Sequence, residues 1–370
     1  MAFNSIFFIF CFLPVFMLIY YLVPGKLRNL LLFLGSLIFY AWGEPVYVIL
    51  MLFSSIFNYY MGTELERLYY DDRKQKINLI FSIIINLAVL VFFKYYGFLL
   101  NTIGGIIGIH IPHPELSLPI GLSFYTFRNL SYLFDIYLSK VSAQRNFLTF
   151  SVYSTMFPYT SAGPIVRYTD IETQLKQRTI NISKFGIGAE LFVKGLAKKV
   201  LLADNLSVLY SSICGHPQMS VFTSWLGILA YTMQLYFDFS GYSDMAIGLG
   251  KMLGFDFNKN FDYPYISTSV SEFWRRWHIS LGSWFRDYIY IPLGGNRVST
   301  LKHIRNILVV WALTGLWHGA SWNFVLWGVY YGLFLLLEKF VLQKYLKKIP
   351  SWLCTVYTLS LIHISEPTRP

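Results

Sequence analysis

The strongest candidate for a chemical role is His318, which ends an otherwise apolar stretch of sequence. The stretch from Ile307 to Trp317 has eleven residues. As a helix it would be about 16 Å long, half the hydrocarbon thickness of a bilayer. If the chain enters the membrane near Arg305, His318 lies close to the bilayer midplane, where ionisable side chains are costly and usually face a cavity. A neutral imidazole can act as a general base, so His318 is predicted to be a catalytic residue in that role.

A structural role for His318 is the alternative, because Gly315 and Gly319 bracket it. Small residues at that spacing let two helices approach closely, and the histidine would then only pack between them. If His318 is the base, the side-chain N–H groups of Trp317 and Asn323 are candidates to stabilise a negatively charged reaction oxygen. Both residues are therefore assigned to substrate binding.

The sequence from Ser269 to Arg297 predicts one amphipathic helix. Ser269 and Glu272 have the spacing of a capping box, which predicts the helix start, and the Ile291-Pro292 step predicts its end. At 100° per residue, one face of this helix is apolar. The residues on that face are Phe273, Trp277, Leu281, Trp284 and Tyr288.

Basic residues lie away from this apolar face. Arg275 and Arg286 fall roughly opposite to it, and together with Arg276 they are predicted to bind an anionic substrate group such as a phosphate. The alternative is a helix that lies in the membrane interface and is held there by its aromatic residues. His278, at the edge of the apolar face, is a second candidate catalytic residue, or else a structural hydrogen-bonding group.

Composition excludes an ordinary soluble domain. Of the 370 residues, 55% are hydrophobic and only 13% are charged, against about 25% charged in soluble domains. The 19% aromatic content also argues against disorder. An excess of Lys and Arg, 30 against 19 acidic residues, is typical of cytoplasmic loops in a membrane protein, so no nucleic-acid partner is expected. The three scattered cysteines predict neither a disulfide framework nor a metal site.

Apolar runs predict many membrane segments. The first, from Phe3 to Val23, is long enough to cross a bilayer core, and others occupy residues 30–42, 46–62, 77–93, 118–138, 222–239, 307–317 and 322–338. Weaker runs occupy residues 95–109, 147–163, 185–210 and 270–291. Several are shorter than the roughly 17 residues that a straight span needs, which indicates short or broken helices buried in protein or lining a wet cavity.

The distribution of basic residues among the loops predicts an orientation. The loop Leu65–Lys76 contains Arg67, Arg73, Lys74 and Lys76, whereas residues 110–119 contain no Lys or Arg. Because cytoplasmic loops are enriched in these residues, we predict a multi-pass membrane protein with Leu65–Lys76 inside and the N-terminus extracytoplasmic. The same alternation predicts that residues 214–218 lie outside.

Both histidines lie within longer motifs. These are Glu272–Leu281, Trp284–Tyr288, Ile291–Arg297 and Gly315–Trp322. Further segments belong to the same pattern, namely Leu118–Phe124, Ala162–Arg167, Gly195–Lys199 and Gln234–Asp244. Together they resemble the membrane-bound O-acyltransferase (MBOAT) family, and more narrowly its bacterial alginate O-acetyltransferase-like branch.

This resemblance implies an all-α polytopic membrane protein, a multi-helix bundle with re-entrant or short helices around a central tunnel. In the family, the histidine matching His318 is assigned to catalysis, and the one matching His278 is a second characteristic residue. The implied reaction moves an acyl group, expected to be acetyl, to hydroxyls of an extracytoplasmic polysaccharide. The donor would be a cytoplasmic thioester, either acetyl-CoA or an acyl carrier protein, with no bound cofactor.

The resemblance also implies a setting for the protein. It places the chain in the bacterial inner or plasma membrane among membrane lipids, with an extracytoplasmic transferase that would complete glycan acylation as a partner. The domain is expected to span residues 1–358 and to be C-terminally truncated, because relatives continue with further spans. Residues 359–370 form an atypical tail that is expected not to be native. Arg128 stands where relatives usually have glutamine.

Two functions without acyl-transfer chemistry stay open. The chain could be a transporter for a lipid or acyl carrier that uses His318 as a gate or proton relay. It could also be a scaffold for a secreted transferase. Consumption of a thioester by the purified protein with a hydroxyl acceptor would distinguish the enzyme from both.

Overall fold

Every regular element is a helix over the part of the chain that the structure describes. The computed structural model describes residues 1–216 and 219–365, with side chains as far as residue 362. Those ranges include no strand, so the prediction of an all-α membrane fold is confirmed, whereas the central tunnel stays a prediction. Three helical stretches are long and apolar enough to cross a membrane: Val48–Arg67, Asp72–Ile107 and Trp322–Leu346.

Two of the sequence predictions reach residues outside the described ranges. Residues 217 and 218 of the predicted outer loop lie there, and so do residues 366–370 of the predicted tail. The preceding part of that tail continues the last helix of the chain as far as Ser365.

The first of two compact units comprises Met1–Asn86 and Pro119–Lys259. Its helices are α1 (Leu13–Leu22), α2 (Arg28–Ala41), α3 (Val48–Arg67), α4 (Asp72–Ile107, which ends in the second unit), α5 (Leu122–Tyr137), α6 (Phe147–Thr155), α7 (Tyr168–Lys176), α8 (Ile182–Ala197), α9 (Asp204–Cys214) and α10 (Val221–Met252). A π-helical turn, Lys198–Ala203, joins α8 to α9 without a break.

The second unit comprises Leu87–Leu118 and the chain from Asn260 onward. Its helices are the end of α4, then α11 (Val270–Arg276), α12 (Ile279–Phe285), α13 (Thr300–His318), α14 (Trp322–Leu337), α15 (Gln343–Leu346) and α16 (Ser351–Ser365). A π-helical turn, Glu338–Leu342, joins α14 to α15. All the predicted site residues belong to this unit.

The bounds of helix α4 differ from those predicted from the sequence. The sequence suggested two apolar segments, 77–93 and 95–109, separated by Lys94, but the structure has one helix of 36 residues through both. Lysine has a high helix propensity, so a single charged residue interrupts the apolar pattern without interrupting the helix.

Helices α8 and α10 of the first unit cross in backbone contact. A Cβ added at Gly188 would lie 2.6 Å from the Gly248 carbonyl oxygen, and one at Gly195 would lie 2.5 Å from that of Gly241. Small residues allow this approach, which larger side chains would prevent.

Three carboxylates and one arginine in apolar parts of the first unit have partners within the unit. The carboxylates of Asp135, Asp238 and Asp244 lie 3.2, 2.7 and 2.6 Å from the ammonium groups of Lys140, Lys199 and Lys198. Arg128 is fully buried, and its guanidinium donates to the carbonyls of Tyr159 and Ser154 at 2.7 and 3.0 Å. Structural ion pairs therefore account for the three carboxylates.

Helices α13 and α14 of the second unit also approach through glycine. A Cβ at Gly315 would collide with the carbonyl of Phe324, and one at Gly328 would collide with the carbonyl of Trp311. Close to this crossing, Trp274 of α11 meets Trp311, Trp327 and Tyr331 with ring centroids 5.0, 5.6 and 4.9 Å away. The crossing and the aromatic cluster together fix the C-terminal end of α13.

Candidate active site

The predicted amphipathic helix is broken at His278. Trp277 has extended backbone angles (φ −100°, ψ 129°), and His278 is left-handed (φ 44°, ψ 53°), so α11 ends at Arg276 and α12 starts at Ile279. The prediction of one continuous helix is wrong, because a left-handed residue cannot continue a right-handed helix. A non-glycine residue in this region is strained, and such strain persists only where surrounding contacts hold it.

Both predicted ends of this segment are close to the observed ones. Ser269 is the N-cap, and its Oγ accepts a hydrogen bond from the Glu272 amide at 3.0 Å. The Glu272 carboxylate bonds Thr268 rather than closing the capping box. The last helical turn ends at Tyr290, before the predicted Ile291-Pro292 stop. The residues of the predicted apolar face are buried in the protein despite the break.

Asn260 holds the broken segment in place. Its Oδ1 accepts from the Ser280 amide at 3.2 Å and from the Ser280 hydroxyl at 2.9 Å, and it lies 3.1 Å from Nδ1 of His278. Its backbone carbonyl accepts from the Ile279 amide at 2.9 Å. The backbone N–H of Ser280 can only donate, so the Asn260 side-chain atom that faces it is the oxygen, which accepts. Nδ1 of His278, which faces the same oxygen, must therefore be a donor. The neutral His278 ring therefore has its proton on Nδ1, and Nε2 is the basic nitrogen.

His318 is the last residue of α13, and its side chain is accessible. Its ring contacts the rings of Trp317, Phe324 and Trp327, with centroids 5.0, 6.5 and 4.9 Å away. Within the described ranges, no group hydrogen-bonds this imidazole. The close helix packing that the alternative assigned to His318 is made instead by the glycines and Phe324.

A cavity of about 1030 Å³ lies between the C-terminal helices of the second unit. Both histidines line it, and so do Arg275 and Arg286. Trp274 also lines it, and among the described residues its buried indole N–H has no hydrogen-bond partner. The structure thus brings four of the predicted site residues to one cavity and adds a hydrogen-bond donor that the sequence prediction missed.

Arg275 and Arg276 are neighbours in sequence but have different surroundings. Arg275 lines the cavity, and no described carboxylate forms an ion pair with it. Arg276 is not among the lining residues; its guanidinium binds the Glu272 carboxylate at 2.9 Å and the Asp262 carbonyl at 3.1 Å. Of the two, only Arg275 is placed to bind a substrate in the cavity, so the position of Arg276 does not fit the predicted role.

The ion pair with Arg276 helps to lower the pKa of the Glu272 carboxyl group. Burial alone would raise its pKa, but the Thr268 hydrogen bonds and the Arg276 guanidinium outweigh burial and hold the pKa below the usual range of a glutamate. The carboxylate is therefore ionised and fully engaged by the protein. It neutralises Arg276 and leaves Arg275 as the accessible charge of α11.

The cavity rim has two further cations that the sequence prediction did not assign. Lys339 and Lys347 line it together with Arg286. The Arg286 guanidinium lies 2.7 Å from the carboxylate of its neighbour Asp287, and the Lys339 ammonium lies 3.1 Å from Nε2 of His303. Lys339 and Lys347 follow an apolar helix in the sequence and could have been predicted as candidate anion-binding residues. Only the fold shows that they lie at the same cavity as α11.

The carboxylate of Glu338 also lines the cavity but is occupied by the protein. It is buried, and it accepts from the amides of Val270 and Ser271 at 2.7 and 3.0 Å. An anion at the N-terminus of α11 satisfies amides that lack helical partners and complements the helix dipole. The remaining charge on the rim is therefore predominantly positive.

Trp317 and Asn323 are not among the residues that line the cavity in the described chain. The ring of Trp317 packs against His278 and His318, with centroids 5.8 and 5.0 Å away. Asn323 is exposed at the start of α14. Trp317 supports both histidines by packing, whereas the position of Asn323 does not fit a role beside the reacting oxygen; Trp274 is the better-placed donor.

Comparison with known proteins gives one family and several relatives. Residues 42–351 match the model of MBOAT, the membrane-bound O-acyltransferase family. The chain is 44% identical over 343 residues to the probable alginate O-acetylase AlgI of Pseudomonas aeruginosa, covering 92% of this chain and 66% of the relative. It is 34% identical over 402 residues to the peptidoglycan O-acetyltransferase of Helicobacter pylori, covering 98% and 76%.

A more distant relative has a different named activity. The teichoic acid D-alanyltransferase of Bacillus subtilis is 29% identical over 259 residues, covering 65% of this chain and 63% of the relative. The chain spans about two thirds of the length of the curated relatives that it matches.

Proposed function

Since the chain belongs to the membrane-bound O-acyltransferase family, we propose that it transfers an acyl group from a thioester to a hydroxyl. The relatives named above are a probable alginate O-acetylase, a peptidoglycan O-acetyltransferase and a teichoic acid D-alanyltransferase. An acetyl group as the transferred group and an extracytoplasmic polysaccharide as the acceptor agree with the higher identity to the acetyl-transferring relatives. The observation on which this proposal rests is the shared cavity, where His318 has no internal hydrogen bond and cations line the rim.

His318 would act as the general base of this reaction. Its imidazole takes the proton of the acceptor hydroxyl as that oxygen attacks the thioester carbonyl. A C–O bond forms, the C–S bond breaks, and the proton passes to the departing thiolate, so the ring returns to its neutral form. The Trp274 indole N–H is a candidate donor for the charge that develops on the carbonyl oxygen. No covalent enzyme intermediate is needed, because a thioester is already activated.

The basic rim would bind the donor. Arg275, Arg286, Lys339 and Lys347 line the same cavity as His318, and guanidinium groups bind phosphate oxygens in bidentate geometry. Both acetyl-CoA and the pantetheine arm of an acyl carrier protein combine a phosphate with a thioester. Either would place its phosphate on the rim and its thioester towards His318.

The setting proposed for this reaction is a bacterial inner or plasma membrane. The N-terminus would be extracytoplasmic, membrane lipid would surround the apolar helices, and a central tunnel would lead the acyl group from the cytoplasmic donor. An extracytoplasmic transferase is the proposed partner that completes glycan acylation. The apolar helices α3, α4 and α14–α15 support the membrane setting.

A thioester-consumption assay tests the proposal. Purified protein in lipid nanodiscs is given acetyl-CoA, and thiol release is followed with and without alginate oligosaccharides. The expected result is acceptor-dependent thiol release and acetylated oligosaccharide in the mass spectrum. Peptidoglycan fragments form a second acceptor arm, and an acetylated carrier protein forms a second donor arm.

Outcomes of this assay separate the alternatives. A protein that binds the thioester but never consumes it, in any of these arms, would favour a transporter or a scaffold. Comparing envelope polysaccharide acylation in cells with the gene and with a His318→Ala gene separates the scaffold from the enzyme. A scaffold still supports acylation after that substitution, whereas the enzyme does not.

A further inference from the structure

Lys94 is the single charged residue between Leu87 and Ile107, the part of α4 that belongs to the second unit. Ionisable residues in so apolar a helix are expensive and usually have a function. Its contacts within the described chain are a backbone carbonyl and the rings of Tyr95 and Trp317, at 5.8 and 5.6 Å from the ammonium, rather than a carboxylate. Ordinary ion pairing therefore does not explain this lysine.

The backbone carbonyl that Lys94 contacts belongs to the residue before His318. The ammonium group donates to the carbonyl oxygen of Trp317. The next residue of α4, Tyr95, donates its hydroxyl to the carbonyl oxygen of Leu316 at 2.6 Å. Two consecutive residues of one helix thus bind two consecutive carbonyls of another, directly before the histidine.

These carbonyls are groups that a helix end leaves without partners. The last four carbonyls of an α-helix lack intrahelical hydrogen bonds, and α13 ends at His318, where Gly319 turns to an extended conformation (φ −165°, ψ 154°). A cation at this end also complements the helix dipole. Without the two donors, the carbonyl oxygens of Leu316 and Trp317 would have no hydrogen-bond partner within α13.

We propose that Lys94 and Tyr95 are positioning residues for the general base, and that by capping α13 they fix the direction of the His318 ring in the cavity. This inference rests on the proposed acyl transfer. It explains why a charge is kept within α4 and why two adjacent polar groups of that helix face the same turn. A displacement of about 1 Å at a reacting group can cost about a hundredfold in rate.

Four variants test the inference in the thiol-release assay with acetyl-CoA and alginate oligosaccharides. Lys94→Met removes the donor and keeps the side-chain length, and Lys94→Arg restores a cationic donor. Tyr95→Phe removes one hydroxyl. Tyr96→Phe is the matched control, because the neighbouring tyrosine packs on His113 with ring centroids 6.0 Å apart, and within the described chain its hydroxyl bonds no carbonyl of α13.

The expected result is a loss of kcat with little change in the donor KM. Lys94→Met should lower kcat about tenfold to a hundredfold, and Tyr95→Phe about twofold to tenfold, the range for one uncharged hydrogen bond. Lys94→Arg should recover most of the loss, and Tyr96→Phe should turn over normally. If Lys94→Met fails to insert, Tyr95→Phe against Tyr96→Phe decides the question alone.

The inference is overturned by normal kcat in folded Lys94→Met and Tyr95→Phe proteins. It is also overturned if the donor KM rises in proportion to the loss, since that would make Lys94 a donor-binding residue. His318→Gln separates this failure from failure of the proposed function. If His318→Gln is inactive while Lys94→Met is active, only the positioning role is wrong; if His318→Gln is active, the proposed function itself is wrong.

Discussion

The end of α13 and the junction between α11 and α12 bring one histidine each to the same cavity by opposite means. At the end of α13, the backbone is held and the His318 ring makes no hydrogen bond within the described chain. At the junction, the ring itself is held, because His278 is 3% exposed and its Nδ1 donates to Asn260. Two histidines that look equivalent in sequence thus differ in how far each is free to bind substrate.

The two arginines at the end of α11 repeat this contrast. Arg276 is engaged by Glu272 and Asp262, whereas Arg275 faces the cavity. In each pair, one residue is held by the protein and the other is available in the cavity. If this is correct, substitutions at His318 and Arg275 should change catalysis, and those at His278 and Arg276 should change mainly stability.

The largest expected effect is that of His318→Gln. Glutamine keeps much of the size and hydrogen bonding of histidine but cannot take a proton, so kcat should fall about 10²–10⁴-fold while donor binding persists. Thiol release and donor KM are measured on protein that elutes as the wild type does. His278→Gln is the control and should lose less. Equal losses would end the contrast between the two histidines, and near-normal turnover of His318→Gln would remove it as the base.

The next largest effect is expected at Arg275. Losing a charge-assisted hydrogen bond to a donor phosphate typically costs about 1.5–3 kcal/mol, so the donor KM of Arg275→Ala should rise roughly tenfold to a hundredfold. Arg276→Ala is the matched control; it should leave the donor KM unchanged and lower the melting temperature, because Glu272 loses its cation. A similar KM increase in both variants would show that the basic segment acts through its summed charge. An unchanged KM with poor membrane insertion would favour the interfacial anchor.

A moderate effect on stability is expected at Asn260. Its side-chain oxygen accepts from His278 and Ser280, so Asn260→Ala would leave buried donors without an acceptor, at about 1–3 kcal/mol. The melting temperature in detergent should fall, and kcat should fall less than in His318→Gln. Asn260→Asp keeps an oxygen at the same place and should recover part of the stability. An Asn260→Ala protein as stable as wild type would mean that the left-handed residue is held by other contacts.

The smallest expected effect is that of a single cysteine substitution, which tests whether the loop between α3 and α4 faces the cytoplasm, where the donor would be. A cysteine at Asp71, in the loop between α3 and α4, should resist an impermeant thiol reagent in intact cells, because the surrounding basic residues predict a cytoplasmic loop. The background is a variant without the native cysteines, and permeabilised cells give the positive control. Ready labelling of intact cells would reverse the predicted orientation.

Much of the site could be predicted because it depends on local sequence. An ionisable residue after an eleven-residue stretch that is almost entirely apolar indicates a functional histidine whatever its neighbours are. A helical period placed Arg275 and Arg286 on the same side, and both do line the cavity. The apolar face from Phe273 to Tyr288 is buried even though the helix is broken.

The errors arise where a distant contact overrides the local pattern. The left-handed turn at His278 is held by Asn260, eighteen residues earlier, and no periodicity shows such a contact. The pairing of Arg276 with Glu272 was also not predicted, although the two residues are one helical turn apart. The sequence alone allowed the Arg276 guanidinium to face either that carboxylate or a ligand. Lys94 fell between two predicted segments, yet a lone charge inside one long apolar run was a signal that could have identified it.

The membrane environment of this protein, its helical class and the residue types that can do chemistry could all be predicted from the sequence. Those properties follow from composition and from side-chain periodicity along one chain segment. Which of these residues share a cavity depends on contacts between separate segments of the chain, such as the hydrogen bond between Lys94 and Trp317, which are 223 residues apart. A hydrogen bond between separate segments leaves no period in the sequence, and neither does the bond from His278 to Asn260, eighteen residues earlier. For this reason only the folded chain shows that His278 is held while His318 stays available.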